Sequence, residues 1–410
     1  MKRISVFLFI LVLITNCLKK EPTAPETGTV SVTVFDSEGI PLEGVKVILA
    51  EYTSHTQYTN SSGECTFQDI PTILCVIHAN KSRFSSASKK INVKAGKNSM
   101  ELTLYHQNPY FITLSYGLLN EILADTKRKN LYVTDDYSNT IAIIDIEKDT
   151  ISGYIELSNE PVWATISSDN DYLFVSEEDY YLGGCIEKID LTSQSVAFTK
   201  ETDFEPYDIE FGANLLFVSP DYYYYSDSIM IMDTESLGVV SYITGGNFEN
   251  ALLEIDTTEN MLYAGEYSTL YKCSIDSGIV VDTISFYYST FYDLTFDEER
   301  KLLFVATYYD DEIIVIDTES FEITHTIYID YPTALTLDEE NKRLFALTRD
   351  YYEGCKVVEY DSLFIERKAY ALPGVYYGYN ILYLPTNNRI YGLVRDYNYN
   401  SAIFVLLLDA

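Results

Sequence analysis

Residues 130–157, NLYVTDDYSNTIAIIDIEKDTISGYIEL, contain the pattern that decides the fold. An apolar strand is followed by an acidic turn with a tyrosine, an apolar strand that ends in Asp145, and a further strand. Weaker copies follow to the C-terminus, with an aspartate equivalent to Asp145 about every 44 residues: Asp190, Asp233, Asp276, Asp317, Asp361 and Asp409. A period of about 40–45 residues with four short strands per unit is typical of β-propeller blades, so seven markers predict seven blades.

The last copy, AIFVLLLDA at 402–410, stops after its third strand. A ring needs a fourth strand there, because an open edge would leave backbone groups unpaired. Residues 110–115, YFITLS, lie just before the first full copy and have strand character. We therefore predict that they close the ring as the outer strand of the seventh blade, in a propeller that covers 110–410.

Residues 28–104 follow a different pattern, in which Val30, Val32 and Val34 alternate with polar residues. Such alternation predicts half-buried strands, and turn sequences separate several of them. The predicted fold class is therefore all-β, with a small N-terminal β-sandwich followed by a seven-bladed β-propeller. Alternation points Cys65 and Cys75 inward, where a disulfide and two buried thiols are both open alternatives.

The N-terminus carries an export pattern, in which Lys2 and Arg3 precede an apolar run over 6–14. This run is too short to span a bilayer, which needs about 20 residues, but it fits a signal peptide over 1–16. Residues 17–27 are polar and contain proline, which predicts a flexible tether. The segment around Cys17 resembles a bacterial lipobox. That resemblance implies lipidation of Cys17 and a lipid-anchored position in the cell envelope, outside the cytoplasm.

Two further resemblances concern the domains. Residues 28–49, GTVSVTVFDSEGIPLEGVKVIL, and 61–71, SSGECTFQDIP, resemble a carboxypeptidase-regulatory-like (prealbumin-like) sandwich, which implies an accessory module without catalytic residues. Residues 304–327, FVATYYDDEIIVIDTESFEITHTI, and the stretch at 130–155 resemble YVTN-type repeats of YncE-like and surface-layer-like propellers, and distantly of lactonase-type propellers. This second resemblance implies the fold and leaves the function open, because propellers host unrelated activities.

The charge balance excludes one class of partner. The chain has 28 basic and 62 acidic residues, a formal net charge of −34. Such a surface repels nucleic acid and anionic lipid. We therefore expect no nucleic-acid partner, and contact with a membrane only through the N-terminal lipid.

Tyrosines recur in the loops after the second strand of each blade, mostly beside an acidic residue, and the chain contains 38 of them. Tyrosine offers a large apolar face with a polar tip, which suits wet binding surfaces. Together with aromatic residues between blades, these tyrosines predict a ligand face for a protein, peptide or glycan. The alternative is that the tyrosines only pack over their own turns. The predicted face consists of Tyr137, Trp163, Tyr180, Tyr181, Tyr207, Tyr222, Tyr267, Tyr292, Tyr309, Tyr351 and Tyr397.

Glu121, Asp208 and Asp293 fall at equivalent positions when the blade starts are aligned, at the predicted channel entrance. Their hard oxygen atoms would suit Ca²⁺. Alternatively, they accept hydrogen bonds from N–H groups at strand ends. Arg349 and Arg395, at strand ends of neighbouring blades, are then expected to neutralise these acids.

Catalysis finds little support, because the four histidines form no Ser–His–Asp or Cys–His set and CxxC and HExxH motifs are absent. We therefore expect a surface-anchored, non-catalytic binding or scaffold lipoprotein without a firm cofactor. Two alternatives are a structural cell-envelope component and an exported propeller hydrolase or lactonase that uses the channel carboxylates. The ligand and the oligomeric state stay open.

Overall fold

The computed structural model describes residues 26–408 except 37–38, 51–54, 82–83, 106, 115–118, 180–182, 222–226, 288, 309 and 350–353. Two compact units divide between Gln107 and Asn108. The described residues include no helix long and apolar enough to cross a membrane. The predicted signal peptide, Cys17 and most of the tether lie outside the described residues.

The described residues of the first unit form seven strands in two sheets: β1 (Thr27–Phe35), β2 (Lys46–Leu49), β3 (Thr56–Tyr58), β4 (Glu64–Pro71), β5 (Leu74–Asn80), β6 (Ala87–Asn92) and β7 (Gly96–Thr103). One sheet has the order β4-β1-β7, with β1 antiparallel to β4 and parallel to β7. The other sheet is antiparallel, in the order β3-β2-β5-β6. Val30 and Val32 of β1 share one buried core with Val47 and Ile77 of the other sheet, so the unit is a β-sandwich.

The two cysteines of the sandwich lie on opposite sheets, Cys65 on β4 and Cys75 on β5. Both are buried as thiols, so of the two alternatives the structure contains the reduced pair. Burial raises the pKa of the Cys65 thiol to about 11, which keeps it protonated and poorly nucleophilic.

The second unit contains seven four-stranded antiparallel sheets, numbered here as blades 1 to 7. Blades 1 to 4 consist of β9 (Leu119–Asp125), β10 (Asn130–Asp135), β11 (Thr140–Asp145) and β12 (Thr150–Glu156); β13 (Glu160–Ile166), β14 (Tyr172–Asp179), β15 (Gly183–Asp190) and β16 (Ser195–Thr202); β17 (Pro206–Gly212), β18 (Leu215–Pro220), β19 (Ile229–Asp233) and β20 (Val239–Ile243); and β21 (Leu252–Asp256), β22 (Met261–Glu266), β23 (Thr269–Ser274) and β24 (Ile279–Ser285).

The remaining blades complete the ring. Blades 5 to 7 consist of β25 (Phe291–Asp297), β26 (Leu302–Thr307), β27 (Glu312–Asp317) and β28 (Glu322–Tyr328); β29 (Pro332–Asp338), β30 (Arg343–Thr348), β31 (Cys355–Tyr360) and β32 (Glu366–Leu372); and β33 (Val375–Leu384), β34 (Arg389–Asp396) and β35 (Ser401–Leu407) with β8 (Tyr110–Thr113). The predicted all-β class, a sandwich followed by a seven-bladed propeller, is confirmed.

Blade 7 is built from both ends of the second unit. β8 pairs antiparallel with β35, and Ile112 lies opposite Ile403. The hydrogen-bond ladder thus covers the edge of β35 that the C-terminal copy by itself would leave open.

One aromatic side chain recurs in the second strand of every blade. It is at most 1% exposed at each of these positions: Tyr132, Phe174, Phe217, Tyr263, Phe304, Phe345 and Tyr391. Each ring belongs to a cluster shared with the next blade; Phe304 of blade 5, for example, packs with Leu335 and Leu344 of blade 6. The same holds between blades 7 and 1, where Tyr391 packs with Leu131. Apolar burial between blades therefore holds the ring together.

The aspartate that marks the repeat caps a turn. The Asp145 carboxylate accepts hydrogen bonds from the N–H groups of Glu147 and Lys148, at 3.0 and 2.9 Å. Asp190 and Asp233 accept the corresponding bonds in their own blades. The repeated residue therefore stabilises the turn into the fourth strand, a frequent role of Asp side chains.

Candidate functional site

The first strands of the blades surround a central channel. β9, β13, β17, β21, β25, β29 and β33 follow one another in contact, and β33 contacts β9 to complete the circle. At the start of β9, Leu119 pairs with Asp135, which precedes the loop between the second and third strands. The channel entrance and the tyrosine-bearing loops therefore share one face.

A cavity of about 260 Å³ opens at this entrance, and we call it the mouth cavity. The first strands of six blades contribute its lining: Asn120, Val162, Trp163, Tyr207, Tyr292, Thr333, Tyr377, Gly378 and Tyr379. Trp163, Tyr207 and Tyr292 belong to the ligand face predicted from the sequence. A larger cavity of about 450 Å³ lies within blade 7, but its lining includes Leu114, directly before residues that are not described.

The aromatic side chains of the mouth cavity brace one another. Trp163 meets Tyr207 edge-on, with the ring centroids 6.2 Å apart. The centroids of Tyr377 and Tyr379 are 4.5 Å apart. These contacts orient rigid rings before any ligand arrives. Tyr377 and Tyr379 were missed in the sequence, although the run VYYGYN at 375–380 carries them.

Two arginines lie beside the mouth cavity. The guanidinium carbon of Arg349 is 4.2 Å from the ring centroid of Tyr377, well within cation–π distance. The guanidinium carbon of Arg395 lies 5.3 Å from the ring centroid of Tyr379. The structure places both arginines over tyrosine rings. That they neutralise Glu121, Asp208 and Asp293 stays a prediction.

Two of the three predicted channel acids bind backbone groups of the next blade. Asp208 on β17 accepts a 2.7 Å hydrogen bond at Oδ2 from the N–H of Leu253 on β21. Asp293 on β25 accepts a 2.6 Å hydrogen bond at Oδ2 from the N–H of Leu335 on β29. Both carboxylates thus have the strand N–H contacts that the second interpretation expected.

Glu121 on β9 accepts a 3.1 Å hydrogen bond from the side-chain amide of Asn380 on β33. Burial, together with the charges of Asp208 and Asp293, holds the pKa of Glu121 well above its usual value. Within the described part of the chain, no three or more His, Cys, Asp or Glu side chains form a group that could hold a metal ion. The three acids are therefore near one another but do not form a ready-made calcium site.

Glu210 on β17 and Glu254 on β21 add two carboxyl groups that the sequence analysis missed. Burial, and then the charge of Asp208, raises the pKa of Glu210 to about 8. Burial also raises the pKa values of Asp208 and Asp293 to about 7. The signal was present in the sequence, because Glu210 follows Asp208 by two residues and alternate residues of a strand share one face.

Three predicted loop tyrosines lie outside the mouth cavity on exposed turns. Tyr137, Tyr267 and Tyr397 are 79%, 51% and 58% exposed. The other five predicted tyrosines, which are Tyr180, Tyr181, Tyr222, Tyr309 and Tyr351, lie outside the described residues. The described part of the predicted face thus divides into a preformed cavity and an exposed surround.

Comparison with known proteins supports the fold class, a seven-bladed β-propeller. No family model matches the sequence, and no curated protein matches it. Among solved structures, the chain is similar to Kuenenia stuttgartiensis hydrazine synthase, with 14% identity and a TM-score of 0.60 over 73% of this chain and 98% of that chain. It is also similar to the β-propeller domain of Myceliophteria thermophila Cps50 (Swd1), with 12% identity and a TM-score of 0.60 over 73% of this chain and all (100%) of that chain. Similarity at this identity concerns the fold alone.

Proposed function

We propose that this protein is an exported, non-catalytic binding protein whose propeller takes a ligand at the channel entrance. The observation that carries this proposal is the mouth cavity, because aromatic residues from several blades converge there on one concave site. Concave, largely apolar pockets with a few polar groups are the usual form of ligand sites. A peptide, a glycan or a side chain of a partner protein would enter from the face that bears the exposed tyrosines.

The cellular address rests on the sequence. The signal-peptide pattern and the lipobox resemblance around Cys17 support a lipoprotein in the bacterial cell envelope, anchored through its lipid and exposed outside the cytoplasm. The YVTN-type and carboxypeptidase-regulatory-like resemblances fit such a surface protein. In this proposal the sandwich is a spacer, and the propeller presents the binding face.

The distribution of histidines supports binding over catalysis. His55 and His78 belong to the first unit, and His325 lies on the outer strand β28; His106 is outside the described residues.

An exported hydrolase or lactonase is a second candidate, because a carboxyl pKa of about 8, as at Glu210, suits acid–base catalysis at neutral pH. A structural envelope role is the third, and it predicts self-association without any ligand.

A thermal-shift panel on the full chain tests the proposal, with neutral glycans, peptides and Ca²⁺ as probes. A ligand is expected to raise the melting temperature, and Tyr292→Ala is expected to remove that shift. Tyr154→Ala is the matched control, because this tyrosine is 49% exposed on the outer strand β12. No shift with any probe, or a shift equally strong in Tyr292→Ala, would contradict a binding site at the mouth cavity.

A further inference from the structure

The channel below the mouth cavity is strongly acidic. Five carboxyl groups, called the channel acids, line it from four first strands: Glu121, Asp208, Glu210, Glu254 and Asp293. The charges of Asp208, Asp293 and Glu210 act on Glu121, and those of Glu210, Asp293 and Asp208 act on Glu254. The five groups therefore share one confined space.

The channel acids form two layers. In blades 1, 3 and 5, the residue of the first strand that lies opposite the start of the second strand is Asp125, Gly212 and Asp297. Glu121, Asp208 and Asp293 each lie four positions before that residue. Glu210 and Glu254 each lie two positions before the equivalent residue. Because a strand rises about 3.3 Å per residue, the layers are about 6.6 Å apart. The three-acid layer is the nearer one to the mouth cavity.

The walls above these acids suit a cation as well. An aromatic ring carries negative electrostatic potential on its face, so it attracts a positive group. Two aromatic rings of the mouth cavity already bind cations within the protein, because Arg349 lies over Tyr377 and Arg395 lies over Tyr379. Trp163, Tyr207 and Tyr292 line other parts of the same cavity.

The shape of the site favours an elongated organic cation over a metal ion. A metal ion needs several oxygen atoms around one point, and the described residues contain no such group. The carboxylates of Asp208 and Asp293 also already bind backbone N–H groups. A chain with separated ammonium groups can meet both layers, while its carbon atoms pack against the rings.

We propose that the mouth cavity and the channel acids bind a linear alkylammonium cation, either a free polyamine or a lysine side chain of a peptide. The ammonium groups bind the two layers of carboxylates, and the alkyl chain lies between Trp163 and the tyrosine rings. This inference deepens the proposed function and rests on it.

The affinity for the cation should depend on the protonation state of the channel acids. The cation faces three sets of groups. These are the channel acids from β9, β17, β21 and β25, the tyrosines 207, 292, 377 and 379, and the guanidinium groups of Arg349 and Arg395. The pKa values of Asp208, Asp293 and Glu210 lie at about 7, 7 and 8, so part of this set is protonated at neutral pH. A cation favours the ionised carboxylates. Affinity should therefore rise between about pH 6 and pH 8, with net release of protons.

Titration calorimetry on the full chain tests this, with spermidine as the free polyamine and N-acetyl-trilysine amide as the peptide. The key variant, Glu210→Gln/Glu254→Gln, removes two ionisable channel carboxyl groups and keeps the side-chain shape. The matched control, Glu235→Gln/Glu322→Gln, removes two charges from exposed positions. We expect one saturable site for at least one probe, at least tenfold weaker binding in the channel variant, and less than a twofold change in the control.

Three other results would each overturn the inference. Equal weakening in both variants would show diffuse attraction to the acidic surface and would overturn the inference. A neutral glycan or peptide that binds and is lost in Tyr292→Ala, without binding of either cationic probe, overturns the cation and retains the proposed function. No binding of any probe overturns both. Circular dichroism of each variant confirms that it is folded.

Discussion

The hydroxyl group of Tyr110 donates a 2.6 Å hydrogen bond to Oδ2 of Asp149, and this contact joins the closing strand to blade 1. Asp149 lies in the turn after β11, and Arg389 of blade 7 donates to the same carboxylate at 2.9 and 3.1 Å. Both ends of the propeller chain therefore meet at one carboxylate. Tyr110 is 5% exposed and Asp149 is 3% exposed, so water does not replace these bonds readily.

Tyr110→Phe removes the hydroxyl group and leaves the ring. Hydrogen bonds to charged groups contribute about 1.5–3 kcal/mol, so we expect the free energy of unfolding to fall by about 2 kcal/mol. Urea denaturation of the full chain measures this value. Tyr154→Phe on the exposed face of β12 should change it by less than about 0.5 kcal/mol. Equal values for the two variants would contradict a role of the Tyr110–Asp149 contact in closure.

Deletion of Tyr110–Thr113 removes strand β8 from blade 7. The edge of β35 then has no partner, and a long apolar edge strand promotes association between chains. We expect loss of the cooperative propeller transition in calorimetry and aggregation in size-exclusion chromatography. A monomer with an unchanged melting curve would show that the ring does not depend on this strand.

Phe304→Ala removes a fully buried ring between blades 5 and 6. Truncation of a buried Phe costs about 3–5 kcal/mol, because apolar contact is lost and a cavity remains. Phe198→Ala is the control, since Phe198 is 46% exposed on the outer strand β16. Chemical denaturation should show a loss for Phe304→Ala several times that for Phe198→Ala. Similar losses would mean that the second-strand aromatic residues do not hold neighbouring blades together.

Glu177 and Glu187 form a fully buried carboxyl pair on β14 and β15. Burial, together with the charge and hydrogen bond of Glu187, raises the pKa of Glu177 from 4.5 to about 9. Because the folded pKa lies above the unfolded one, its stabilising contribution is full below about pH 4.5. It is lost as the pH rises to about 9, at up to about 1.4 kcal/mol per pH unit.

Glu177→Gln keeps the shape of the side chain and cannot ionise. Its melting temperature should therefore fall less between pH 6 and pH 9 than that of the wild-type protein. Glu322→Gln on the exposed face of β28 should follow the wild-type curve. A parallel pH dependence in Glu177→Gln would show that Glu177 takes up no extra proton in the folded state.

Much of the propeller was predictable because its signals are local. The apolar strands and the aspartates equivalent to Asp145 indicate burial and turn formation within a single blade. The exposed turns with Tyr137 and Tyr397 also follow from one blade at a time. Whether Cys65 and Cys75 form a disulfide was not predictable in this way, because it depends on which sheet each strand joins.

The residues of the candidate site also divide into those that the sequence indicates and those that only the structure brings together. Trp163, Tyr207 and Tyr292 were identifiable as interblade residues, whereas Tyr377 and Tyr379 gained importance only when blade 7 was placed beside blades 5 and 6. Glu210 has a signal in the sequence, its spacing of two residues from Asp208, whereas Glu254 reads there as an ordinary strand residue. They form an acidic layer because two neighbouring first strands present the same face to the channel.

The sequence by itself determined the number of blades and the place where the ring closes, because periodicity and strand alternation are properties of neighbouring residues. Export stays a prediction from the N-terminal pattern. Only the tertiary structure decided the composition of the channel and its mouth. The reason is geometric: each blade contributes only part of the channel lining, and residues as distant in sequence as Glu121 and Asn380 come within 3.1 Å only when the ring is closed.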